Sequence, residues 1–195
     1  MMFRLSTIRW QRPKVGSYEI IAFAIIAVAV ILRIVLVALH MPETNSDEST
    51  MGLEAMHIAF RGEHPIFLYG QDYMGVLEAY IAALFFHLFG VSVFTLRIGM
   101  MIMFAFFMVS MYFLVSLLYT KKLALLTLAL LGFGVASDVQ VQQLRAAGGA
   151  IETLLFGSLV LLLASWLALT SGQKLLPRIQ GWRLESRLYY PLYNC

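Results

Sequence analysis

Residues 20–39 read IIAFAIIAVAVILRIVLVAL, twenty positions broken by one charge, Arg33. A run of about twenty apolar residues is what a helix needs to cross a bilayer core, since every backbone group is then satisfied without water. The rest of the chain has the same character. Of 195 residues 61% are hydrophobic and 13% charged, against about 25% charged in an ordinary soluble domain, and the mean hydropathy is +0.81. The apolar residues come in blocks and not in alternating or striped patterns. The predicted class is therefore all-α: a polytopic membrane protein with about four to five membrane segments, forming a single transmembrane domain over 1–195.

Arg4, Arg9, Arg12 and Lys14 precede the first block, and Lys174, Arg178, Arg183 and Arg187 follow the last. Bases flanking apolar runs give the positive-inside pattern, not a nucleic-acid groove, so no nucleic acid is expected as a partner. The first block, about 18–39, is too long for a signal-peptide core and ends without a small-x-small site, so it reads as an uncleaved span. Arg33 lies near its far end, where an arginine is expected to snorkel to the interface. The single cysteine, Cys195, can form no intramolecular disulfide.

After the first span the composition changes. Residues 40–78 carry Glu43, Asp47, Glu48, Glu54, Glu63, Asp72 and Glu78 against one base, Arg61. This acidic loop, about 40–75, is placed outside. Within it ESTMGLEAMHIAFRG (48–62) predicts an amphipathic juxtamembrane helix with Ser46 or Asp47 as N-cap. Met51, Ala55, Ile58 and Ala59 form its apolar face and Gly62 ends it. Membrane segments fill about 76–170: Val76–Phe89, Val91–Tyr119, Leu123–Ala136 and, after the polar patch SDVQVQQLRAAGG (137–149), Ile151–Leu169. A basic cytoplasmic tail, 171–195, closes the chain. Val76–Phe89 is short enough to be re-entrant or interfacial. On that reading Lys121 and Lys122 lie inside with the basic N-terminus, and the acidic loop and the polar patch face out. If all the middle stretches cross, the lysines lie outside instead.

Asp47 and Glu48 sit just beyond the first span. A carboxylate there can act as a general base on an acceptor hydroxyl or amine, hold a divalent cation beside a phosphate, or simply cap a helix and solvate the loop. Glu152 opens the last segment at the interface, where a carboxylate is costly unless it is paired, functional or a helix cap; Asp138, in the same patch, is a weaker candidate. Arg97, charged and near membrane depth, could hold a lipid phosphate or pair with an acid such as Glu78. His57 and His64 match no metal-ligand spacing, so no metal site is predicted. No phosphate-binding loop, nucleophile elbow, HExxH or CxxC motif is present.

Taken in order, these residues resemble a family. NSDE (45–48), AMHIAFRGEHP (55–65), GQDYMGVLEAY (70–80), LFGVSVFTLR (88–97) and an apolar stretch ending in Lys121-Lys122 resemble the N-terminal part of GT-C membrane glycosyltransferases of the protein O-mannosyltransferase and aminoarabinose-transferase type. The resemblance reaches to about Thr170. It implies inverting transfer of a sugar from a polyprenyl-phosphate-linked donor to an extracytoplasmic acceptor at a bacterial plasma membrane, with the basic N-terminus cytoplasmic. The family's essential first-loop aspartate falls on Asp47, with Glu48 beside it, and a second outer acid falls on Glu152. Gln71, Tyr73 and Arg97 are the expected substrate contacts, and a divalent cation is the one cofactor left open. Such enzymes are longer, with more spans, so the chain is expected to be incomplete relative to the family. The alternative is a non-catalytic membrane subunit, a truncated relic, or a small transporter built from the same spans. A transporter is expected to place its acids at mid-membrane and to show paired repeats, whereas the acids here cluster in the loops.

Overall fold

The structure is a computed structural model describing residues 16–134 and 143–188, with side chains described through residue 170. Its elements are α1 (Ser17–Ala38), α2 (Ser46–Arg61), α3 (Leu77–Phe89), α4 (Val93–Leu118), α5 (Lys121–Phe133) and α6 (Ala150–Leu188). Among the described residues there is no strand beyond one isolated bridge between Phe67 and Gly75.

Three helices have the length and composition to cross a membrane: α1, α4, and the Ala150–Thr170 part of α6. At about 1.5 Å per residue, the 22 residues of α1 reach about 33 Å, and a bilayer core is about 30 Å thick. Helix α6 does not stop at the end of its apolar run; its backbone stays helical to Leu188, into the segment predicted as a separate tail.

Helix α4 is central and packs against α1, α3, α5 and α6. Its buried Met100, Phe104, Phe107 and Met108 meet the small and branched residues Ala22, Ala29, Ala124, Leu128 and Ile151 of its neighbours. Two glycines set the close approaches. A Cβ on Gly99 of α4 would lie 2.7 Å from Cγ2 of Ile81 in α3, and one on Gly132 of α5 would lie 3.2 Å from Cβ of Ala29 in α1.

Local sequence explains where these elements begin. Ser92 and Thr95 form a capping box at the head of α4: Ser92 Oγ accepts from the Thr95 amide at 3.1 Å, and Thr95 Oγ1 accepts from the Ser92 amide at 2.9 Å. Helix α2 starts one residue earlier than Ser46 as N-cap would give, and two earlier than Asp47 would. The cap is Asn45, whose side chain accepts from the Glu48 amide at 2.9 Å, which puts Asp47 and Glu48 in the first turn, on the positive end of the helix dipole. Gly62 ends α2 at φ 68°, a conformation that costs a glycine little.

Three contacts fix which ends lie together. Arg97, near the head of α4, donates to the Met41 carbonyl just past α1 at 3.2 Å. The chain therefore leaves α1 and enters α4 at the same end, and α2 and α3 between them make no net crossing. Lys121 pairs with Glu19, so the α4–α5 connection lies at the opposite end, beside the start of α1. Residues 146–149 are back at the first end, bonded to Glu48 and Glu78. Lys121 thus shares an end with the start of α1, as the arrangement with a non-crossing Val76–Phe89 requires.

Arg33 does not snorkel. Only 2% exposed, it turns inward over the ring of Phe104, 3.6 Å from its centroid. Its Nη1 donates to the carbonyls of Ala29 and Gly132, each at 3.2 Å, and Nη2 to Gln143 Oε1 at 3.0 Å. The apolar length of α1 beyond Arg33 leaves the side chain short of water, and α5 and the Gln143 segment supply acceptors, and α4 an aromatic face, that lipid cannot.

Candidate active site at the acidic end of the bundle

Helix α2 carries Asp47 and Glu48 side by side, and the fold gives them different surroundings. Glu48 is fully buried and accepts from Arg97 Nε at 2.7 Å and Nη2 at 2.6 Å, a two-pronged pair. Its Oε1 also accepts from the Ala146 amide at 3.1 Å. Of the two partners the sequence left open for Arg97, the acid is the one found, and it is Glu48 rather than Glu78. A buried carboxylate with both oxygens committed to a guanidinium is a good brace.

Asp47 is half-buried, and its described contact is with Gln71, whose Nε2 donates to Oδ1 at 3.3 Å. Gln71 comes from a tight turn in which the Leu68 amide donates to Met74 O and the Gln71 amide to Leu68 O, each at 2.9 Å. The Gln71 carbonyl oxygen points inward without a partner. Tyr73, two residues on, is 81% exposed.

Glu152 lies in the first turn of α6, half-buried, with Oε1 unpartnered. Its charged neighbour is Glu78, and no contact joins it to Asp47 among the described residues. Glu78 is 1% exposed and accepts from the amides of Gly148 at 3.0 Å and Gly149 at 3.2 Å. Burial pushes its carboxyl up to about 7; the Gly148 and Gly149 amides pull the other way, and the charges of Glu152 and Glu48 add to the rise. Glu54 is a third buried acid of this end, with neither oxygen hydrogen-bonded, and burial raises its pKa too.

Beside the Arg97–Glu48 pair is a cavity of about 390 Å³ lined by His40, Pro42, Glu43, Thr44, Val93 and Arg97. Thr44 and Val93 also line a more apolar cavity of about 300 Å³ that reaches Leu53, Met56 and Phe86. His40 holds a left-handed backbone at φ 60°, a conformation histidine adopts more readily than most residues other than glycine. The end of α1 and the head of α4 thus enclose a space that is polar on one side and apolar on the other.

The structure brings Asp47 to Gln71 and Glu48 to Arg97, and it sets Glu152 beside Glu78. Sequence reading offered Glu78 only as a partner for Arg97: a glutamate opening an apolar segment looks like a helix-start acid, and its glycine partners lie 70 and 71 residues away. Asp138 lies outside the described residues. Among the described residues no group of three or more His, Cys, Asp or Glu is placed to hold a metal ion. No protein-family model, curated protein or solved structure matches the chain.

Proposed function

We propose that this chain is a membrane glycosyltransferase, or the catalytic-loop part of one, moving a sugar with inversion from a polyprenyl-phosphate carrier to an acceptor on the outer face of a bacterial plasma membrane. One observation carries the reading. The two most specific elements of the resemblance, the acid pair at 47–48 and the run ending at Arg97, meet in the Glu48–Arg97 pair. That pair braces the first loop against α4 and leaves Asp47 as the carboxylate free to act.

In this reading Asp47 takes the proton from the acceptor hydroxyl or amine as that atom bonds to the anomeric carbon, and the lipid phosphate departs with the electrons of the broken bond. Gln71 orients Asp47. Tyr73, exposed at the rim, contacts acceptor or sugar. The cavity beside Arg97 suits a phosphate at the interface, with the lipid chain running toward the apolar side. Glu152 is the second carboxylate, and its negative field favours an oxocarbenium-like centre. A divalent cation held by phosphate and carboxylate is compatible with this chemistry. The N-terminus is cytoplasmic, and α1, α4, α5 and α6 carry the chain across four times.

The test is transfer from a radiolabelled panel of polyprenyl-phosphate sugars in membranes containing the chain. Transfer that Asp47→Asn lowers by about two to four orders of magnitude is the expected result. Transfer unaffected by Asp47→Asn removes that residue from the chemistry. No transfer from any donor by an inserted, folded chain would instead make it a non-catalytic membrane subunit.

A further inference from the structure

The stretch that leads into α6 is fastened at its backbone. Gly148 and Gly149 stand at φ 85° and 84°, and their successive amides converge on one side chain. The Glu78 carboxyl group is that partner, one oxygen to each amide. The site is tight as well as polar: a Cβ on Gly148 would lie 2.3 Å from Cε of Met74, in the turn that carries Gln71. A second fastening lies two residues back, where the Ala146 amide donates to Glu48. Glu152 follows within one helical turn of Gly149, so whatever holds the glycines holds Glu152.

We propose that Glu78 is a proton-operated latch: its carboxyl group docks the 146–149 segment onto the first loop, and loss of its proton favours release of that segment together with Glu152. The charged groups bearing on Glu78 among the described residues are Glu152 of α6 and Glu48 of α2, and the charge of Glu48 is already balanced by Arg97 of α4. An ionised Glu78 therefore faces a buried, net negative surrounding with two amide dipoles as its described compensation. Opening gives it water instead.

The direction with pH follows from linkage. Docked, the carboxyl titrates at about 7; released, it returns to its ordinary value of 4.5. Between these pH values the docked state holds a proton that the released state does not. Docking is therefore favoured in acid and weakens as pH rises, with the opening constant climbing by about two orders of magnitude in all and levelling off above the docked value. The latch is independent of any transferase reading, and its test needs no substrate.

That test is amide hydrogen exchange on the full chain in lipid nanodiscs, from pH about 5 to about 8. It follows peptides covering 143–150, with rates corrected by an unstructured reference peptide. The native chain should show opening that rises about a hundredfold and then levels off. Glu78→Gln, whose amide oxygen still accepts an N–H but has no proton to lose, should show opening that is flat with pH. A native opening constant that does not change with pH overturns the proposal, and so does a pH slope that persists in Glu78→Gln. If that variant fails to fold, the native curve decides when set against peptides from the middle of α4. An equal slope in both would mean whole-chain unfolding and would also overturn the latch.

Discussion

Arg97 is 1% exposed and Glu48 fully buried, so neither charge has water to fall back on if its partner goes. Breaking a buried pair by removing one member costs about 3–5 kcal/mol, mostly because the other is left uncompensated, while replacing both with apolar groups is often neutral. Arg97→Met should therefore destabilise the chain by about that amount, and Glu48→Leu combined with Arg97→Met should recover most of the loss. Thermal unfolding in detergent checks both. A double variant as unstable as the single one would mean that the Ala146 contact, and not the ion pair, sets the cost. Sequence carried this site halfway. Asp47, Glu48 and Arg97 stand out because charges beside hydrocarbon are expensive. Which acid meets Arg97 is decided 49 residues away along the chain, and no local pattern records it. The inward turn of Arg33 escaped for the same reason, since its acceptors come from Gly132 and Gln143.

At the scale of elements, the long helices were legible and the short ones were legible in extent but not in purpose. Runs of apolar residues locate both ends of α1 and α4 within two residues and the start of α6 within one, because a bilayer-spanning helix needs nothing but length and hydrophobicity; the end of α6, at Leu188, lies well beyond its apolar run. Helix α3 has only 13 residues, and its place comes from packing. Ala79, Ala82 and Ala83 are buried, and Ile81 rests on the bare backbone of α4 at Gly99. Gly99→Ala should force α3 and α4 apart and cost about 1–3 kcal/mol, the usual range for overpacking. The same change at Gly157, where a Cβ would meet nothing within 4 Å, should be neutral or slightly stabilising, since alanine is the better helix former. Unfolding midpoints of the two variants, measured side by side, separate crowding from any general effect of glycine replacement.

For the whole molecule, the pairing of Lys121 with Glu19 and the return of residues 146–149 to Glu48 and Glu78 place two loops at one end and the α4–α5 turn at the other. Single cysteines in a Cys195→Ser background should report this with a membrane-impermeant maleimide on intact cells. Tyr73→Cys should label and Lys122→Cys should label only after the membrane is opened. Labelling of both from outside would refute the arrangement. The polar cluster around Arg33 also has a consequence for how the chain is made. The arginine enters the membrane with α1, but the Gly132 carbonyl that helps hold it is 99 residues further on, about 5–20 s of synthesis at ordinary rates. During that interval the nascent first helix holds a charge near the end of its span without its final acceptors, at a cost below the about 2.5–3.5 kcal/mol of a charge at the helix centre and against an otherwise strongly inserting segment. The arrival of α5 ends the wait, so the newborn chain carries its own assembly checkpoint: a first helix that is tolerated alone and becomes settled only when a later one docks.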